Sequence, residues 1–342
     1  MRTRPLPWAA MVLAFVMLAV ACGGDDDAAD TTAATDGATT TAAAADETFR
    51  IAVVAPSAVN DLAFTQSIVD AVNVVAAERG NTEVDITDGT FVVEDAAAAI
   101  RDYASQGYDL VIAHGSQYGG SLEEIAPDFP EVAFAWGTAA DTFGLPNVFA
   151  YEAASDQGGY VMGVMAAALS ESKLIGIVGP IEVGDAKLYV DGFKAGAESN
   201  DSGVTVNVNY TGSFSDVALA SEAAKAHVAA GADVMSGTAQ MVVGAVSVAN
   251  DEGVLWFGTQ ANQSSLGDIV VASQVYKWEV VLREMLTAID GGTLGGTTYE
   301  INLANGGEVI EYNANFDLPA DVAQLAEDAI AGIADGSMST GQ

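Results

Sequence analysis

The chain has 342 residues and a net charge of −36, long enough for one large domain or two linked ones. Surfaces that bind nucleic acid or anionic membrane need basic patches, so the acidity argues against both and is taken as a solvation feature. Cys22 is the only cysteine, which excludes an internal disulfide and a multi-cysteine metal site.

The amino-terminal stretch 1–22 reads as an export signal. Arg2 and Arg4 supply a positive start, and Trp8 to Val20 is an apolar run too short to span a bilayer. Ala19-Val20-Ala21-Cys22 resembles a lipobox, with Leu18 one place earlier than the leucine most lipoboxes carry. Cys22 is therefore expected to carry lipid, although an ordinary secretory signal would also fit. Residues 23–47, made of Gly, Asp, Ala and Thr, cannot bury enough apolar surface to offset chain entropy and are expected to form a disordered tether. No later run is long and apolar enough for a transmembrane helix.

From Thr48 on, short β-branched runs alternate with helical stretches, the pattern of parallel α/β layers. Strands are predicted over Phe49 to Val54, Glu83 to Thr87, Leu110 to Ala113 and Val132 to Trp136, with a helix from Thr65 to Arg79 stopped by Gly80. The order then repeats: strands over Lys173 to Val178 and Val204 to Tyr210 flank a helix near Ala186 to Glu198. Val234-Met235 and Val254 to Phe257 open two further units. Gly89-Thr-Phe91, a helix, Gly107-Tyr-Asp109, a strand and Trp136-Gly-Thr138 match Gly212-Ser-Phe214, a helix, Gly231-Ala-Asp233, a strand and Phe257-Gly-Thr259. A strand from Ile269 to Val275, a helix from Lys277 to Ile289, a β-rich piece from Tyr299 to Tyr312 and a helix from Pro319 to Ala334 complete the chain.

The expected fold is α/β: two similar parallel-sheet lobes joined by a multi-strand hinge. The lobes are assigned as 48–151 plus 261–290 and 152–260 plus 291–337, with crossings near Tyr151, Thr259 and Gly291. Loops at the carboxyl ends of the strands would then face a shared cleft, where open α/β sheets bind ligands.

The candidates for that cleft each have an ordinary structural alternative. Asn60 and Asp61 precede a helix and could cap it; Phe64 could stack on a flat ligand or staple its helix, with Thr65 beside it. His114, Ser116, Gln117 and Tyr118 follow a strand, and at least one is expected on the ligand. Gln240, Gln260 and Asn262 end strands of the second half, their amides suited to a neutral polar molecule or simply to solvent. Lys277 could face the ligand or join an inter-lobe ion pair. Trp136 and Trp256 end corresponding strands and are read as core. Asp185 and Lys187 border the cleft in the loop after Val178, and His227 sits on a predicted surface helix.

Catalysis is not indicated. The chain has no Gly-x-Ser-x-Gly elbow, its two histidines lack metal-ligand spacing, and Gly179-Pro-Ile-Glu-Val-Gly184 lacks the lysine of a phosphate loop. Abundant carboxylates leave a glycosidase-like pair formally open. No metal or organic cofactor is implied.

Several segments, taken in order, resemble the basic membrane protein family of importer lipoproteins. They are Asn60-Asp-Leu-Ala-Phe64, Glu124-Ile-Ala-Pro-Asp-Phe-Pro-Glu-Val-Ala-Phe134, Gly159-Tyr-Val-Met-Gly-Val-Met-Ala-Ala167, Gly192-Phe-Lys-Ala-Gly196, Gly212-Ser-Phe-Ser-Asp216 and Gly231-Ala-Asp233. The resemblance implies a type I periplasmic-binding-protein fold and a solute-binding lipoprotein of an ABC importer. Such a protein would be monomeric, anchored by lipid on the outer face of the cytoplasmic membrane, and would work with permease and ATPase subunits. It also implies ligand contacts from Asn60, Asp61, Phe64 and Lys277, and a site-bordering loop at Thr238-Ala-Gln240. Gln260 and Thr138 stand where the family's nucleoside binders carry acids for ribose hydroxyls. A purine nucleoside or base is therefore the first expectation and a sugar or other small polar metabolite the second. A sensory protein that presents its closed form to a receptor is the alternative.

Overall fold

The computed structural model describes residues 48–199 and 203–341. The expected export signal with Cys22 and the tether to residue 47 lie outside them. In chain order the elements are β1 (Phe49–Val54), α1 (Phe64–Arg79), β2 (Thr82–Thr87), α2 (Val93–Ser105), β3 (Leu110–His114), α3 (Gly119–Ile125), β4 (Ala133–Gly137) and β5 (Val148–Ala153). Then come α4 (Ser155–Leu169), β6 (Leu174–Gly179), α5 (Gly184–Glu198), β7 (Thr205–Tyr210), α6 (Val217–Ala230), β8 (Val234–Gly237), α7 (Val243–Glu252) and β9 (Leu255–Gln260). The chain closes with β10 (Val270–Tyr276), α8 (Glu279–Asp290), β11 (Thr298–Ile301), β12 (Glu308–Tyr312) and α9 (Ala320–Ala334).

The strands form two six-stranded sheets of matching order, β11-β5-β4-β3-β1-β2 and β12-β10-β9-β8-β6-β7. Neighbours run parallel except β10 and β12. Helices cover both faces, which is why the central strands are continuous apolar runs rather than alternating ones. In β1, Ile51 and Val53 enter the core beneath α1 and α8, while Ala52 and Val54 enter the core beneath α2 and α3. In the second sheet Phe257 faces the α4–α5 side and Trp256 the α6–α7 side.

The two expected lobes are thus present as sheets, but the carboxyl-terminal strands are exchanged relative to the assignment. The segment 261–290 is expected wholly in the first lobe, yet its β10 belongs to the second sheet and only α8 packs on the first. Likewise 291–337 is expected in the second lobe, yet its β11 completes the first sheet beside β5. The crossings therefore lie at Ala154, at Lys277 and between Ile301 and Glu308. The physical reason is strand pairing: β10 continues the second sheet beyond β9 and is itself covered by β12, while β11 covers the open edge of β5.

In each lobe the crossover helix packs on the first helix after the leading strand. In the first lobe, α8 meets α1 through side chains: Val281, Leu282, Met285 and Leu286 join Ile68, Ala71, Val72 and Val75 in one core. Arg79–Asp290 and Arg283–Glu78 ion pairs close its rim. In the second lobe, α4 lies on α5 through glycines. A Cβ at Gly163 or Gly196 would fall well inside contact with the backbone carbonyls of Phe193 and Tyr160, respectively. Gly159 and Gly192 meet backbone in the same way. These four are the glycines of the Gly159 and Gly192 segments quoted above.

Candidate functional site

Strand carboxyl ends from both sheets converge on one cavity, lined by residues of both lobes. The first sheet's loops contribute Pro56, Phe64, Phe91, Ser116, Gln117 and Thr138. The second contributes Val183, Gly184, Asp185, Ala186, Phe214, Ala239, Gln240 and Gln260. Three of these residues, none a glycine, hold left-handed backbone: Thr138 (φ 59°), Ala239 (φ 74°) and Gln260 (φ 72°). Such conformations cost about 1–3 kcal/mol each and persist where the surroundings impose them, commonly at binding sites.

Five of the expected residues meet here: Phe64, Ser116, Gln117, Gln240 and Gln260. Phe64 is backed by His114, stacked on it at 4.1 Å between ring centres. Phe91 and Phe214, equivalent positions of the internal repeat, place two more aromatic rings in the same cavity from opposite lobes.

The other expected residues are placed elsewhere. Asn60 is exposed and does not line the cavity. Asp61 is a cap: its carboxylate accepts from the backbone N–H groups of Ala63, Thr65 and Gln66 and from the Ser57 hydroxyl. Those donors belong to the start of α1, which otherwise leaves them unpaired. Thr65 is buried with its hydroxyl shared with Ser57. His114, also buried, is held between the Tyr151 hydroxyl (2.7 Å) and the Phe64 carbonyl (3.2 Å). Burial drives its pKa down to about 3, so it stays neutral. Tyr118 is buried with its hydroxyl donating to the Thr90 carbonyl, behind the cavity wall.

Asn262 and Lys277 lie together in a second recess, at the crossing between β10 and α8. Both bind Glu311, Lys277 at 2.8 Å and Asn262 at 2.7 Å; the Lys277 ion pair is therefore with β12, the neighbour of β10 in the second sheet, and not one between the lobes. Trp256 is core, whereas Trp136 is half-buried and stacks on Phe143. His227, expected on a surface helix, is instead buried and bonded to the Ile177 carbonyl, because α6 packs that face on β6 beside Gly176.

Asp185, expected at the border of the cleft in the loop after Val178, lines the cavity. It occupies the first turn of α5, its carbonyl accepting from the Ser155 hydroxyl at 3.1 Å. Burial raises its pKa to about 6, against the opposing pull of the Ala186 N–H and the Gln260 amide. Across the cleft, Gln263 donates to the Leu62 carbonyl at 3.1 Å, and its own carbonyl accepts from Trp256.

The sequence model for the Bmp family, described as ABC transporter substrate-binding protein PnrA-like, matches residues 48–325. The chain belongs to this family. Among its relatives, a purine-binding protein of Brucella abortus is 27% identical over 72% of this chain and 69% of its own length. The transcriptional activator protein med of Bacillus subtilis is 25% identical over 75% and 80%, respectively. The ABC transporter nucleoside-binding protein BmpA of Lactococcus lactis is 26% identical over 82% and 86%. A solute-binding protein of an ABC transporter system from Conexibacter woesei superposes with a TM-score of 0.71 at 24% identity, covering 85% of this chain and 98% of that one. As a Bmp protein the chain is an extracytoplasmic substrate-binding component of an ABC transporter, and it binds a small molecule without transforming it. The two-sheet architecture agrees with the periplasmic-binding-protein fold of the structural neighbour.

Proposed function

We propose that this Bmp protein captures a purine nucleoside or base by closing its two lobes around it, and hands it to the permease. The observation that carries this reading is the trio Phe64, Phe91 and Phe214, contributed by both lobes to one cavity that also holds the neutral groups of Ser116, Gln117 and Gln240. Flat rings stack on aromatic faces, worth about 1–3 kcal/mol per base. Hydroxyls and amides can answer the mixed donors and acceptors of a purine edge. Contacts from both lobes give a ligand its differential affinity for the closed form, and so its power to shift the population. The names of the Brucella and Lactococcus relatives support the same ligand class. The protein is proposed to act as a monomer held to the membrane by lipid on Cys22.

Thermal unfolding of the full chain with nucleosides, bases, sugars and amino acids tests the ligand class. A saturable rise in melting temperature with a purine is expected; a response to sugars alone would overturn it. The name of the Bacillus relative favours one second reading, in which the closed form signals to a regulator. Uptake of labelled ligand by cells with and without the protein separates the two, because only the transport reading requires uptake to fall.

A further inference from the structure

Two acceptor atoms in the cavity have no partner. Gln260 is 2% exposed and lines the cavity. Its Oε1 is buried without a hydrogen bond, and so is Oδ2 of Asp185. Their neighbourhood explains the pattern. A carboxylate only accepts, so the Gln260 amide turns its NH₂ toward Asp185 and leaves Oε1 as a second unmet acceptor. Leaving one such buried group unsatisfied costs about 1–3 kcal/mol. Acidic residues are common in the first turn of a helix, but a residue there only for the helix dipole has no reason to bury its free oxygen in a cavity wall.

We infer that Asp185, with Gln260 beside it, anchors the polar end of the ligand and selects molecules that present two adjacent hydrogen-bond donors there. The inference rests on the small-molecule capture proposed above and narrows its ligand class. A vicinal diol and the two N–H groups of an exocyclic amine are the two sources of such donors in adenosine.

The titration of Asp185 adds a consequence. Glu152 faces it and raises its pKa further, and Tyr276, itself held neutral by burial, lies within its field. Lys187 on the same helix is turned to Asp191 and Glu182. With a pKa of about 6 in the empty site, the acceptor is fully charged only above that value, so binding strengthens as pH rises from 5 to 7. In the ligand-free protein the sign is opposite. The raised pKa makes the folded state lose stability between about pH 4, where an exposed aspartate ionises, and about pH 6.

The test compares the full chain with Asp185→Asn by titration calorimetry against adenosine, 2′,3′-dideoxyadenosine and purine riboside. The first analogue lacks the diol and the second lacks the amine. Adenosine affinity is expected to fall about ten- to hundredfold in Asp185→Asn and to lose its rise between pH 5 and 7. The analogue that loses affinity for the wild type, and loses little more in the variant, identifies the donors. Equal affinities and pH profiles in the two proteins would sink the inference while leaving purine capture intact. If purines fail and a sugar binds, the ligand class is wrong, and the anchor stands or falls on the same comparison with that sugar. Without ligand, Asp185→Asn is expected to melt about 2–5 °C higher than wild type at pH 7 and to match it at pH 4. Coincident melting at both values would overturn the burial cost assigned to this carboxylate and its free oxygen.

Discussion

The two lobes share one strand order yet join their equivalent helices by opposite means. The α1–α8 contact is made by interlocking side chains with an ionic rim, and the α4–α5 contact by glycine against backbone. Side-chain packing can relax when an atom is lost; a backbone contact cannot accept an atom gained. The second lobe is therefore the brittle one, and its cavity wall is also the one with unmet polar atoms, Asp185 and Gln260. In the first lobe the corresponding polar groups, Asp61, His114 and Tyr118, are already paired within the protein.

The sharpest test of that contrast is Gly163→Val, expected to destabilise the fold by about 3 kcal/mol or more through overpacking, read by denaturant unfolding. Substituting Leu282 by Ala in the first lobe is expected to cost about 2–5 kcal/mol by cavity formation. If Gly163→Val were tolerated as well as an exposed substitution, the glycine contact would not be the close one described. Next comes acid. His114, neutral in the fold with a pKa near 3 against about 6.5 when unfolded, contributes stability present above pH 6.5 and lost as pH falls toward 3. By pH 4 the loss is roughly 3 kcal/mol, and His114→Leu should flatten that part of the stability–pH curve, followed by urea unfolding. Phe214→Ala should weaken purine binding by roughly 1–3 kcal/mol with little change in melting temperature of the free protein, since Phe214 is only half-buried. The smallest effect belongs to the rim: Arg79→Ala is expected to cost about 1 kcal/mol, because its pair with Asp290 is partly exposed and its guanidinium also lies over the Phe49 ring.

Much of this architecture is legible in the residues. Apolar runs with helical or strand period locate β1, α1, β3, β6, β10 and α9 to within a few residues, because burial on two faces leaves little freedom in composition. The repeat is physical: Gly107 and Gly231 both take left-handed backbone after a helix, and Asp109 and Asp233 both accept from backbone N–H groups. What a linear pattern does not encode is partner choice. Nothing within Val270 to Tyr276 says which sheet it joins, so the exchange of β10 and β11 went unread. Asp61 and Asp185 illustrate the same limit at the site. Both are acids after a strand, and only the three-dimensional count of donors separates the satisfied cap from the unsatisfied wall.

The exchange of β10 and β11 between the sheets bears on how the protein is made. Five strands of the first sheet are complete by Ala153, but the sixth arrives only at Thr298. Until then the β5 edge keeps its backbone groups open, a template for wrong pairing. The second sheet waits similarly for β12 at Glu308. A nascent chain thus cannot finish either half while its last fifty or so residues are still unmade. Truncation at the carboxyl end would leave two frayed halves instead of one intact and one missing.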